Sequence, residues 1–374
     1  MSDHDGLRLP YLAWTYDPPG GAAPYCLAQS AMPAPAAEVL GGLEAADLVA
    51  PPGADALPRL EARLAELLGL ARERVIVTVG ASAAMHIAAL RLFRPGTRVV
   101  VETPACEPLH ALASHFGADL RPVARRLAQG WTIDPDEVRA ALASASGPAH
   151  VFLSNPHDPS GTVLDAERVG AIAREAGRAG GVLLCNEAAM ECAPTVQQRV
   201  HACRLAPNAI SIGSLSQAYG LGALRIGWLA LGAGLERERD HFVDMGRLAY
   251  REPATPALVA GRRALERLPT LLAPLRRIEA LSRPHLVRWL SETAGVEATV
   301  PPFGLVAFPR ITGVRDTRAL ARHLAAEFAV GVVPGELFDG PGHLRVGCGV
   351  PEATLVEGLV RLGDGIRAFM ERGG

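Results

Sequence analysis

Residues able to do chemistry collect at five points, each where a short apolar run ends. They are Gly80-Ala81-Ser82, Glu102-Thr103-Pro104-Ala105-Cys106, Asn155-Pro156-His157-Asp158-Pro159-Ser160-Gly161, Asn186-Glu187 and Ser214-Leu215-Ser216-Gln217. Any one of them reads as an ordinary strand-to-helix turn, because Gly, Ser, Asn and Pro serve that purpose everywhere. Taken together they supply carboxylates, amides, hydroxyls, an imidazole and a thiol at strand ends, where open parallel sheets gather their ligands. One residue type is missing altogether. All 37 basic residues are arginine, so no lysine amine is on hand for a Schiff base or a phosphate-loop contact.

The elements that must position these groups alternate between strand and helix. Strands are expected at 74–80, 98–102, 119–123, 150–155, 181–187, 209–215 and 224–231, with helices at 57–70, 83–93, 107–116, 134–143 and 165–178. The strands are short, β-branched and almost continuously apolar, as in a mostly parallel sheet covered on both faces. The expected fold class is therefore α/β. Residues 1–45, rich in Pro, Gly and Ala, are expected to form an arm on the second domain or on a partner subunit. A large domain over 46–250 and a smaller α+β domain over 251–374 follow. The smaller one has strands near 304–308 and 343–348, a closing helix at 352–371, and a helical run interrupted by Pro284.

Composition narrows the function classes. The 374 residues carry 39 acidic groups against the 37 basic ones, a formal net charge of −2, which argues against a nucleic-acid binder. No apolar run reaches the length of a membrane span, and no secretory signal follows the acidic N-terminus. The six cysteines have no CxxC pair or disulfide spacing, so reduced thiols in the cytoplasm are expected, and no metal-ligand spacing is present.

In order and spacing, the five stretches followed by Arg225-Ile226-Gly227-Trp228 resemble the class I/II aminotransferases, the fold-type I pyridoxal-phosphate family, over roughly residues 50 to 370. The resemblance implies a phosphate cup from Gly80, Ala81, Ser82, Ser214, Ser216 and Arg225. A helix start and a guanidinium suit that role. It also implies that Arg345, in HLRVGCGV, holds a substrate α-carboxylate. The groups that work on the cofactor ring depart from the family's pattern. The Schiff-base lysine falls on Gln217, the ring-nitrogen aspartate on Asn186 and its motif's tyrosine on Ala189. The stacking aromatic falls on Cys106 and the asparagine at the ring hydroxyl on Asp158. No tyrosine lies between Tyr25 and Tyr219 to be donated to a partner's phosphate. A neutral amide at 217 forms no Schiff base, and one at 186 stabilises no pyridinium charge. An engineered lysine replacement would explain position 217 alone; coordinated loss at five positions favours natural change.

The altered pocket is expected to hold Cys106, Asn155, His157, Asp158, Asn186, Glu187, Gln217 and Arg345. Asp158 and Glu187 are candidate acid/base groups, since paired carboxylates in a crevice drive one pKa upward. Glu187 reads equally as a structural carboxylate and Asp158 as a turn residue. Cys106 with His157 is a candidate nucleophile and base, against the plainer reading of a small packing residue. Arg345, Asn155, Asn186 and Gln217 are the candidate substrate contacts. The expectation is an enzyme on the aminotransferase fold without a covalent cofactor. It would run cyclisation, condensation, dehydration or hydrolysis on a small amino-acid-derived or keto-acid carboxylate, as a homodimer in specialised metabolism. Two alternatives stay open. One is a non-catalytic partner in a heterodimer with an active homologue. The other is an enzyme that uses pyridoxal or pyridoxamine phosphate non-covalently.

Overall fold

The computed structural model describes residues 8–18, 23–49 and 55–373. Seven strands form the central sheet: β1 (Val75–Thr78), β2 (Arg98–Thr103), β3 (Asp119–Ala124), β4 (His150–Ser154), β5 (Leu183–Asn186), β6 (Ala209–Ser214) and β7 (Gly227–Leu231). Their spatial order is β1-β7-β6-β5-β4-β2-β3. Only β7 runs against its neighbours, pairing Val75 with Ala230 on one side and Ile210 with Leu231 on the other. The near-continuous Val/Ile/Leu content of these strands is explained by burial on both faces. Every residue of β1, β4, β6 and β7 is buried.

Helices α1 (Gly80–Leu92), α2 (Glu107–His115) and α3 (Ala166–Arg178) cover the sheet. Local chemistry sets their starts. Asp165 caps α3, its side chain accepting from the Arg168 N–H at 2.7 Å. Helix α1 opens at Gly80, three residues earlier than the apolar periodicity predicts. The sequence there, Gly-Ala-Ser, carries too few apolar residues to extend the periodic pattern back to the true start.

Beyond Arg239 the chain is helical up to Glu292. Pro284 marks an interruption of that run, as expected. It sits in the first turn of the helix Arg283–Glu292, directly after a wider π turn at Ile278–Ser282, where the winding changes around its missing N–H. A small antiparallel sheet follows, in which β8 (Val306–Ala307) and β9 (Val333–Pro334) flank β10 (Leu344–Gly347). Helices α4 (Thr317–Phe328) and α5 (Glu352–Glu371) back this sheet. Of the expected N-terminal arm, residues 1–7 and 19–22 lie outside the described residues. Within it, Tyr25–Cys26 pairs in parallel with Val330–Gly331 of the smaller lobe.

Candidate functional site

The carboxyl ends of β1, β2, β4, β5 and β6 open toward one crevice, and four separate pieces of chemistry are built there. The first is an anion cup at the start of α1. Gly80 has φ +77°, and a Cβ placed on it would collide with the Arg225 guanidinium. The positive φ suits glycine, and any side chain there would push the guanidinium away from the helix N-terminus. Arg225 itself takes φ +51°, which turns its exposed side chain toward the cup. Ser214 and Ser216 complete the cup, their hydroxyls 2.5 Å apart. Free helix N–H groups, two hydroxyls and a guanidinium could together hold a phosphate ester, the role that the family resemblance implies for them.

The second piece is a small cleft beside β8, lined by Ser30, His157, Asp158, Asn186, Gln217 and apolar neighbours. Gln217 is fixed by its backbone, whose carbonyl accepts from the Met32 N–H at 2.8 Å, while its amide makes no protein hydrogen bond among the described residues. Asn186 accepts from the Ala188 N–H at 3.3 Å and points its Nδ2 at the Cys106 sulfur, 3.9 Å away.

The third piece sits behind Asp158. Arg345 is 1% exposed, and Nη1 donates to Asp158 Oδ1 at 3.1 Å while Nη2 donates to the Ala28 carbonyl at 3.0 Å. The rings of Tyr11 and Phe338 lie 5.2 and 5.0 Å from the guanidinium carbon. Its Nε is buried without a partner. Arg345, expected to hold a substrate carboxylate, is paired here with Asp158, and it also borders a cavity with Tyr11, Trp14 and Ser30. Tyr11 was not foreseen. It stands on the short helix Pro10–Tyr16, whose first N–H groups at Tyr11 and Leu12 are held by the Glu107 carboxylate at 3.0 and 3.2 Å. The proline at the start of an aromatic-rich run was the available signal.

The fourth piece is a pair of buried polar networks. Glu102 is fully enclosed. Its Oε1 accepts from the Ser154 N–H and Oγ at 2.7 and 2.6 Å, and Arg125 holds its Oε2 at 2.6 Å. Ser154 Oγ in turn accepts from the Asp158 N–H at 3.1 Å, so this network fixes the backbone of Asp158. The other network disposes of Glu187. Its carboxylate accepts from the Ala202 N–H at 2.7 Å, the Ser211 hydroxyl at 2.8 Å and His201 Nδ1 at 2.7 Å. Burial works against charge on His201, but its bonds to Glu187 and Glu191 outweigh that and push it up to about 9.

Three expected catalytic groups are therefore corrected. Glu187 is spent on His201 and two further donors and does not line the cleft. His157 donates from Nε2 to the Pro104 carbonyl at 2.7 Å, which leaves Nδ1 to accept from Ser160 at 2.7 Å. Burial, then the nearby Arg125 charge, holds it well below its ordinary value and so neutral. Cys106 has no bond to His157, and burial, then Asp158 and Glu102, drive its thiol well up, the opposite of an activated nucleophile. Asn155 is also removed from the substrate contacts: both ends of its amide are bonded to the Leu164 backbone, at 2.8 and 3.1 Å. Asp158, Asn186 and Gln217 are brought together in the cleft, with the neutral His157 also on its lining.

Comparison with known proteins follows the same lines. Residues 44–362 match the family model for aminotransferase class I and II. Capreomycidine synthase of Streptomyces vinaceus is 31% identical over 78% of this chain and 74% of its own. A PLP-dependent aminotransferase from Streptococcus suis superposes with a TM-score of 0.85 at 21% identity, over 96% of this chain and 97% of that one. The PLP-dependent cyclase OrfR superposes with a TM-score of 0.79 at 24% identity, covering 99% and 98% of the two chains. These similarities overturn the expectation of an enzyme without a covalent cofactor. Two of these proteins are PLP-dependent, one an aminotransferase and one a cyclase, and they point to pyridoxal phosphate as the cofactor.

Proposed function

The chain belongs to the aminotransferase class I and II family, and on that premise we propose that it is a pyridoxal-phosphate enzyme of specialised metabolism that closes a ring on an amino-acid-derived substrate. The anion cup carries this reading, because the approach of Arg225 to Gly80 sets a guanidinium beside the free N–H groups of a helix start, a setting suited to a phosphate ester. Similarity to capreomycidine synthase and to the cyclase OrfR supports the ring-closing part.

Ala81, Ser82, Ser214, Ser216 and Arg225 would hold the phosphate. When bound, the cofactor supplies an electron sink for charge at carbons near the substrate amine. Everything else falls to the chain's own residues. Asn186 sets a neutral amide beside the cleft floor, so this end of the site adds no charge of its own. Gln217 can give and accept hydrogen bonds but cannot hold a proton near neutral pH. Asp158 is the one carboxylate on the cleft lining, and its Oδ2 has no protein partner among the described residues. It is the group to take a proton from the substrate atom that closes the ring. Tyr11, Phe338 and Arg345 hold it in place from behind. A homodimer, as the resemblance implies, is the working unit in this reading.

The test is hydrogen exchange in deuterated water, followed by NMR, on the standard amino acids and their amides with the chain and pyridoxal phosphate. The proposal expects exchange at carbon α or β of a subset of them, abolished by Asp158→Ala, with no keto acid accumulating. Keto-acid formation at ordinary transaminase rates, or no exchange in any compound, would contradict it.

A further inference from the structure

We propose that a second cavity, outside the cleft, binds a free α-amino acid with an apolar side chain in its zwitterionic form. The cavity, about 310 Å³, lies between the chain after β5 and the helical run beyond Arg239. Glu191 and Pro194 stand on one wall, and Leu272, Leu275, Arg276 and Glu279 on the other. Glu279 belongs to the π turn Ile278–Ser282, a rare winding that is frequent at functional sites. The turn also carries a link to the cleft. Glu279 Oε1 accepts from the Gly304 N–H at 2.8 Å, and Phe303, Gly304 and Leu305 all line the cleft. Cys192 lies on both linings, so an occupant held by Glu279 would be felt at the cleft wall.

The charges of this cavity are left open in a particular way. Residues three apart on a helix are neighbours, yet Arg276 and Glu279 do not pair with each other. Arg276 Nη1 reaches the Pro194 carbonyl at 3.4 Å, and no carboxylate pairs with it among the described residues. Glu279 Oε2 has only Arg283, 3.7 Å away. Burial outweighs Gly304 and Arg283 and raises the Glu279 carboxyl above its ordinary value, so a cation at Oε2 would restore its charge. Glu191 is 3% exposed, and its oxygens lie 2.5 Å from Arg199 and 3.4 Å from His201 without accepting an aligned hydrogen bond. A buried carboxylate left so beside a cavity calls for a further donor. A bare anion would find Arg276 but face two carboxylates, and a bare cation would find Glu279 but face Arg276. An α-amino acid meets both demands. Its carboxylate takes Arg276, its ammonium takes Glu279, and its side chain packs on Leu272, Leu275 and Pro194.

The test is calorimetric titration of the full chain with L-leucine, leucinamide and 4-methylvalerate, with and without saturating pyridoxal phosphate. Leucinamide lacks the carboxylate and 4-methylvalerate lacks the amine. Wild type is expected to bind leucine at least about tenfold more tightly than either analogue, with or without the cofactor. Arg276→Gln should erase the advantage over leucinamide, and Glu279→Gln the advantage over 4-methylvalerate. Circular dichroism of each variant verifies the fold. Hydrogen exchange followed by mass spectrometry should show leucine protecting 272–280 and 303–305 in the cofactor-free chain. Protection confined to 155–161 and 186–189 would place leucine in the cleft and overturn the inference. No saturation by leucine, or preferences unchanged in both variants, would overturn it as well. Pyridoxal-phosphate affinity is read in the same samples. Its absence with leucine binding intact counts against the cofactor reading alone, and the reverse pattern counts against the amino-acid cavity alone.

Discussion

Deleting the His201 imidazole should remove a pH-dependent part of the stability that belongs to the Glu187 network. In the folded chain His201 is 7% exposed, with Nδ1 2.7 Å from Glu187 and Nε2 3.4 Å from Glu191, and it titrates near 9 instead of the ordinary 6.5. A raised folded-state value means that the protonated form is favoured by folding. Its contribution is complete below pH 6.5 and is lost as the pH rises through about 9. The interval corresponds to about 3 kcal/mol. Urea unfolding across this window should therefore show wild type losing stability steadily, while His201→Gln starts lower and stays comparatively flat. Other groups that titrate in the window are common to both proteins and cancel in the difference. Parallel curves for the two proteins would refute the reasoning.

Two further substitutions probe the crevice. Gly80→Ala forces a side chain into the left-handed region, at about 1–2 kcal/mol, and drives the new Cβ into Arg225. Affinity for pyridoxal phosphate should fall about tenfold or more in a calorimetric titration, and an unchanged affinity would mean that Arg225 plays no part in the cup. Gln217→Lys should create a borohydride-reducible adduct that peptide mass spectrometry locates at residue 217. Ordinary transamination should still be absent, since Asn186 gives the ring nitrogen no charge to pair with; no adduct at 217 would show that this position does not face the bound cofactor.

What was legible in the sequence follows the range of the forces involved. The strands of the central sheet are continuous apolar runs bounded by turn residues, and they fall within a few residues of their observed limits. The approach of Arg225 to Gly80 and of Ser216 to Ser214 was foreshadowed by the family resemblance, whose motifs fall at strand and helix ends. The pairing of Asp158 with Arg345 was not, because 187 residues separate the two and no local pattern carries the contact. Glu187 shows the same limit on a smaller scale. Its neighbours in sequence suggest a crevice carboxylate, while its charge is settled by His201, 14 residues away on a different segment. Tyr11 was hidden because its role depends on Glu107 receiving the start of a seven-residue helix from far along the chain.

The most direct test is a titration of the purified chain with pyridoxal phosphate, read by calorimetry and absorbance together, beside Arg225→Ala. The account predicts saturable binding at one cofactor per chain, weakened about tenfold or more in the variant. Absence of binding, or equal binding by wild type and Arg225→Ala, would contradict it.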